Sequence, residues 1–539
     1  MLTRAERRRG IAYGFLSLSG IALFVGIAVA ALLSWDAGGA SGRLFTAYTW
    51  RILQFTLWQA GLSTVLSIVL ALPVALALAR RPSFPGRIWV IRLMALPMGL
   101  PVLIGALGLI GIWGRQGIVN SLLLKLGLEQ PVSIYGLSGI LLAHVFFNLP
   151  LAARLLLAAL ERQPAEYWLL SSSLGMRPLS VFRLIEWPAA RRVIPGIAGL
   201  IFMLCATSFT LVLVLGGGPA ATTLEVAIYQ SLRFDFDPPR AIALSLLQIG
   251  ITAAILFGIA LFPNADDADA VAGRATRRFD GRTIGTRIWD AIAILLATIF
   301  LILPFASIAL AGLRANLWRL ISSAAFLQAA WTSFTIAITA GLLTIFTSLA
   351  IISAREAVAD MKRPGSGARG FSAVLGGMSS LVLLVPPVVL GTGWFLMLRP
   401  FGDVARFAPV LVAIINMLMA LPFVMRVLAP AIETHRTRTT RLSASLGISG
   451  ISKLWRIDLP VLAKPLLTAF SFAMALSLGD LGAVALFGSN DLTTLPWLVY
   501  SRLSSYRTND ADGLALILGT ICLLLTVLGT AGKREAKHG

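Results

Sequence analysis

The chain has 539 residues, is 57% hydrophobic and only 13% charged, and has a mean hydropathy of +0.85. Soluble domains carry about 25% charged residues, so a large soluble domain is excluded. The net charge of +21 and pI near 11.2 fit Lys- and Arg-rich cytoplasmic loops, since no soluble basic segment with interleaved aromatics points to nucleic acid.

In chain order, "MLTRAERRRG" opens with a basic cluster, and the apolar run behind it at 11–35 is too long for a signal-peptide core of about 7–15 residues. It reads as a retained first membrane helix. A spanning helix needs about 20 apolar residues, and eleven further segments qualify: 55–79, 93–113, 135–160, 193–216, 241–263, 288–313, 327–354, 372–398, 404–432, 465–487 and 512–531. With the N-terminus inside, 31 of the 45 Lys and Arg fall on the cytoplasmic side and 12 outside, so both termini are expected in the cytoplasm. Cys205 and Cys522 lie in separate apolar runs, and His144, His435 and His538 are far apart. Neither a disulfide framework nor a metal spacing results, and His144 reads as a hydrogen-bonded helix residue.

The sequence repeats itself. "SLGMRPLSVFRLIEWP" at 173–188 returns as "SLGISGISKLWRIDLP" at 445–460, so that Gly175 and Gly447 stand 272 positions apart. The same shift carries Pro150 onto Pro422, Arg154 onto Arg426, Glu161 onto Glu433, Ile185 onto Ile457, Pro188 onto Pro460 and Gly216 onto Gly488. "TTLEVAIYQSL" at 222 lies over "TTLPWLVYSRL" at 493, and "LPVLIG" at 100 more loosely over "PPVVLG" at 386. Two parallel six-helix halves are expected, at 1–264 and 288–539, joined by a polar cytoplasmic linker at 265–287. Each repeated stretch falls in a large cytoplasmic loop. Its short helices have an apolar face that must be buried at the membrane interface, on the chain's own helix ends or in a partner's groove.

Gly followed ten residues later by Ile-x-x-Pro resembles the EAA loop of ABC importer permeases. "GRQG" at 114, "YGLSGILLAHVFFNLPLAARLLLAALE" at 135, "LGGGPAATTLEVAIYQSLRFDFDPPRA" at 215 and "SLGDLGAVALFGSNDLTTLP" at 477 resemble the fused permease subunits of bacterial thiamine or thiamine pyrophosphate importers over nearly the whole chain. The family's Glu-Ala-Ala is replaced by Leu169-Leu170-Ser171 and Arg441-Leu442-Ser443. The resemblance implies an all-α polytopic protein of the bacterial inner membrane, with about twelve helices as two fused permease halves. It implies that Leu170, Ser171, Leu174, Gly175, Ile185 and Pro188, with Leu442, Ser443, Leu446, Gly447, Ile457 and Pro460, form two coupling loops for a homodimeric ATP-binding subunit. It also implies a periplasmic thiamine-binding protein as partner and thiamine or its phosphate esters as substrate. No G-x-x-x-x-G-K-[ST] phosphate loop is present, so no cofactor is expected in this chain, and ATP and Mg belong to the partner.

Asp480, an acid within a membrane segment, is by default a functional candidate. It either lines the path of a cation or bonds neighbouring backbone. Gly216, Gly217 and Gly218 are a candidate gate or a helix-ending turn, and Arg154 and Arg426 either anchor the coupling loops or snorkel to the interface. The rival readings are a fused ferric-iron importer permease and an ion-driven twelve-helix carrier, which also has parallel repeats but needs no paired docking loops.

Overall fold

A computed structural model describes residues 4–34, 46–261, 278, 281, 283–361, 365–381, 384–445, 452, 454–488 and 492–530. The described residues are helical, without strands. The first copy of the repeat runs through α1 (Arg4–Ser34), α2 (Ala47–Arg80), α3 (Arg87–Leu93), α4 (Leu96–Gly99), α5 (Val102–Trp113), α6 (Ile118–Lys125), α7 (Leu137–Glu161), α8 (Ala165–Ser173), α9 (Pro178–Val181), α10 (Trp187–Ala206), α11 (Thr210–Leu215), α12 (Leu224–Arg233) and α13 (Pro238–Ala260). The second runs through α14 (Ile284–Arg314), α15 (Leu317–Ile321), α16 (Ala324–Ala359), α17 (Ser366–Leu381), α18 (Pro387–Leu398), α19 (Ala408–Ser445), α20 (Leu459–Gly479), α21 (Gly482–Phe487), α22 (Leu495–Ser504) and α23 (Thr508–Thr530).

Eleven helical stretches among the described residues are long and apolar enough to cross a membrane, against the twelve expected. The exception is 372–398, where α17 ends at Leu381 and α18 starts at Pro387. Hydropathy reads this segment as continuous, but Pro386 and Pro387 cannot sit inside a helix without losing its hydrogen bonds. Three further expected helices are interrupted: 93–113 by Pro101, 193–216 at Thr207–Phe209, and 465–487 at Asp480–Leu481.

The copies pack in the same way. α2 lies against α7 and α10, and α16 against α19 and α20. The first helix of each copy crosses to the other: α1 leans on α16 and α18, while α14 leans on α2 and α5. In lipid such contacts need small residues that let backbones approach. Gly108 of α5 lies on the backbone of Pro304 in α14, and Gly393 of α18 lies on the backbone of Ala28 in α1, with no room for a Cβ at either. The crossed first helices therefore bind the copies into one body. Amides are matched as well: Leu224 N donates to Thr56 Oγ1 (3.1 Å) and Leu495 N to Ser333 Oγ (2.8 Å).

Candidate functional site

The first repeated loop, where a coupling element is expected, is built around a helix stop. α8 ends at Ser173, Gly175 takes φ +60°, its N–H donates to Ser172 O (3.1 Å), and Met176 N donates to Ser171 O (3.0 Å). This is the Schellman arrangement, in which a left-handed residue after the helix satisfies its last carbonyls. Trp168 and Ser171 face inward, and the Ser171 hydroxyl donates to Trp168 O (2.9 Å). Leu169, Leu170, Leu174, Leu179 and Leu184 are exposed, so the loop presents an apolar face on this chain. α9 then passes into a π turn at Phe182–Glu186, a feature that concentrates at functional sites. Ile185 and Pro188 are half-buried, and Pro188 sits in the first turn of α10, where its missing N–H costs nothing.

The second loop repeats the π turn at the same 272-residue shift, over Leu454–Asp458, with Pro460 in the first turn of α20. Ile457 is half-buried and Pro460 exposed. Leu442 and Ser443 fall on α19, which runs on to Ser445, whereas α7 stops at Glu161 and α8 begins only after Pro164. Position 436, which matches Pro164, is arginine, and so the helix continues. Leu446 and Gly447 lie outside the described residues.

The four interrupted helices converge. A Cβ on Gly479 would stand 3.1 Å from Pro101 Cα, and one on Gly482 would stand 3.7 Å from the Phe209 ring and 3.9 Å from Val388. The breaks before α5, between α10 and α11, before α18 and between α20 and α21 therefore meet at one place between the copies. Irregular backbone at membrane depth persists only where protein buries it or it lines a cavity, and broken helices supply substrate sites in other transporters.

Hydropathy alone puts Asp480 inside a helix. Instead it occupies the break: its Oδ1 accepts from Gly482 N (3.1 Å) and its Oδ2 from Ala483 N (3.3 Å), so the carboxylate caps α21. In α10 and α20 the last turns before the break are tied sideways by an asparagine. Asn148 Nδ2 donates to Cys205 Sγ (3.3 Å) and Asn416 Nδ2 to Ser477 Oγ (2.9 Å). Cys205 and Ser477 are 272 positions apart, and both cysteines are buried and free. His144, which matches Asn416 in the repeat, shares a 2.9 Å hydrogen bond with Ser63 Oγ.

Gly216, Gly217 and Gly218 form the turn that ends α11, with φ +70° at Gly217 and +142° at Gly218. Gly136 N donates to Leu215 O (2.8 Å), which ties this turn to the start of α7. In the other copy the carbonyl of Gly488, at the end of α21, accepts from Arg233 Nη2 (2.5 Å). Arg154 and Arg426 are both exposed on their helices.

One buried acid escaped the sequence reading. Glu225 lies on the short connecting helix α12, and among the described residues neither carboxyl oxygen has a hydrogen-bond partner. Its repeat counterpart is Pro496, so no matched pair drew notice to it. Burial pushes its carboxyl from 4.5 up to about 8. An unfolded chain ionises this group near 4.5 while the fold keeps it protonated, so its contribution to stability is present below that pH and is lost as pH rises towards 8. Glu225→Gln is therefore expected to raise the thermal midpoint at pH 8 and to change it little at pH 4.5. Thermal unfolding of detergent-solubilised protein at the two pH values measures this.

This arrangement of crossed membrane-length helices and paired loops defines a multi-pass helical membrane protein. The pattern of the family described as "Binding-protein-dependent transport system inner membrane component" matches residues 367–533. The chain is 45% identical to the thiamine transport system permease protein ThiP of Brucella abortus (97% of this chain, 96% of the relative). It is 41% identical to the protein of that name from Escherichia coli (99% of each) and 35% to that from Haemophilus influenzae (96% and 95%). A sulfate transport system permease protein of Synechocystis matches at 28% identity over only 25% of this chain. The chain belongs to the thiamine transport system permease family.

Proposed function

We propose that this chain forms the membrane path of an importer that moves thiamine or its phosphate esters inward from the periplasm. In this reading a periplasmic binding protein delivers the substrate, and a separate pair of identical ATP-binding subunits, holding ATP and Mg, hydrolyses the nucleotide. Both termini lie in the cytoplasm, where they share a side with the arginine-rich loops. Each half contributes one coupling loop.

The observation that carries this reading is a mechanical continuity present in both copies. The π turn at Phe182–Glu186 runs straight into α10, which ends at the break before α11. The π turn at Leu454–Asp458 runs straight into α20, which ends at the break capped by Asp480. α10 has 20 residues and α20 has 21, about 30 Å each at 1.5 Å per residue. Drawing the two loops together on ATP binding would tilt two helical levers whose far ends are the broken segments between the copies. Asp480 then belongs to the gate at one lever tip, holding the break in shape rather than carrying the substrate, and Gly216, Gly217 and Gly218 belong to it one short helix beyond the other tip. An ion-driven carrier has no use for two such levers ending in matched cytoplasmic sockets.

Uptake of labelled thiamine and of labelled ferric iron by cells with and without the gene tests the substrate. Loss of thiamine uptake alone is expected. Loss of iron uptake alone would move the chain to the ferric-iron branch, and thiamine uptake that survives deletion of the ATP-binding subunit would make it a secondary carrier.

A further inference from the structure

The two coupling loops differ in how the rest of the chain holds them. In the first, Glu186 at the end of the π turn is fully buried and is bonded by two arginines, Arg278 (Nη2 to Oε1, 2.5 Å) and Arg80 (Nη2 to Oε2, 2.9 Å). Arg278 belongs to the segment joining the copies. Its guanidinium also lies 3.8 Å from the ring centre of Trp168, on α8. One linker side chain thus bridges both arms of the first loop, stacked on α8 and ion-paired to the π turn. Arg80 continues the chain of contacts to Asp290 of α14 (3.4 Å), and Arg81 bonds Asp290 (3.0 Å) and the carbonyl of Gly281 (2.5 Å). In the second loop the counterpart of Glu186 is Asp458, which pairs with His435 (2.8 Å), and the counterpart of Trp168 is Thr440.

We propose that Arg278 is a positioning residue of the transport cycle: through it the linker clamps the first coupling loop to the first helix of the second half. A buried carboxylate is held only while its cations stay in place, so movement of this loop must carry the linker anchor and α14 with it. An arginine suits the position because its planar group can lie over an indole while an in-plane N–H donates to a carboxylate, which lysine cannot do. The linker is then a working strut at Arg278 and Gly281.

The proposal rests on reading the first loop as an ATPase-coupling element, and the test separates the two. The complete transporter, with its ATP-binding subunits and binding protein, is reconstituted in vesicles, and substrate moved and ATP hydrolysed are measured together. Arg278→Ala is expected to lower substrate moved per ATP at least tenfold, with Arg278→Lys recovering only part of it. Gly175→Val serves as the control. If it uncouples and Arg278→Ala does not, the clamp is wrong and the coupling loop stands. If neither uncouples, the coupling reading fails first. Should Arg278→Ala not accumulate in the membrane, a short Gly-Ser insertion is placed either after Ala270 or between Arg278 and Gly281. A clamp predicts normal coupling for the first and loss for the second, whereas a passive tether predicts the same result for both and would overturn the proposal.

Discussion

Gly175→Val will remove most substrate uptake while the protein still inserts and its ATP-binding partners still hydrolyse ATP. Gly175 has φ +60° and closes the Schellman stop of α8. No neighbouring atom would obstruct a Cβ there, so the penalty is in the backbone. A side chain in the left-handed region costs roughly 1–2 kcal/mol, and a β-branched one is worse placed still. That is small against insertion of a large helical body, but it is enough to extend or redirect α8 and to move Leu170 and Leu174 off the face they present. Uptake is expected to fall tenfold or more. Gly175→Asn supplies the contrast, because asparagine visits the left-handed region with little strain and should keep most of the transport. Parallel assays of uptake, ATP hydrolysis and membrane level decide the matter. Equal loss in the Val and Asn variants would show that the position needs a bare backbone against a partner rather than a left-handed turn.

The second large effect is at Asp480. Its carboxylate accepts from two amides at the start of α21, the role of a helix N-cap. Replacing such a cap by alanine costs about 1 kcal/mol, with a range of 0.5–2, while asparagine caps as well as aspartate. At about 1.4 kcal/mol per factor of ten, Asp480→Ala is expected to cut uptake about fivefold, and Asp480→Asn is expected to stay within about twofold of the parent. If Asp480→Asn fails as completely as Asp480→Ala with normal insertion, the negative charge itself serves a cationic substrate, and Asp480 moves from the scaffold of the gate into the path. Uptake at several substrate concentrations separates the two, because a lost binding charge raises KM while a slack break lowers the maximal rate.

The helical class, the positions of most membrane helices and the repeat were all legible in the chain, because each is written locally. A run of about 20 apolar residues suffices for a membrane helix whatever its neighbours are, and Gly175 with Ile185 and Pro188 needed only comparison with 447, 457 and 460. The interruptions were not legible. A hydropathy window averages over a turn, so Pro386, Ser208 and Asp480 each disappeared into apolar surroundings, although the prolines carried a signal that a helix would fail there. The convergence of the breaks and the clamp on Glu186 lay further out of reach. Gly479 meets Pro101, Gly482 meets Phe209, and Arg278 joins Trp168 to Glu186 across about a hundred residues. Local hydropathy and backbone preference specify which segments cross the membrane and where the chain repeats. Which interruptions face one another, and which buried carboxylate receives which arginine, depends on the packing of helices distant in sequence, and only the folded chain decides it.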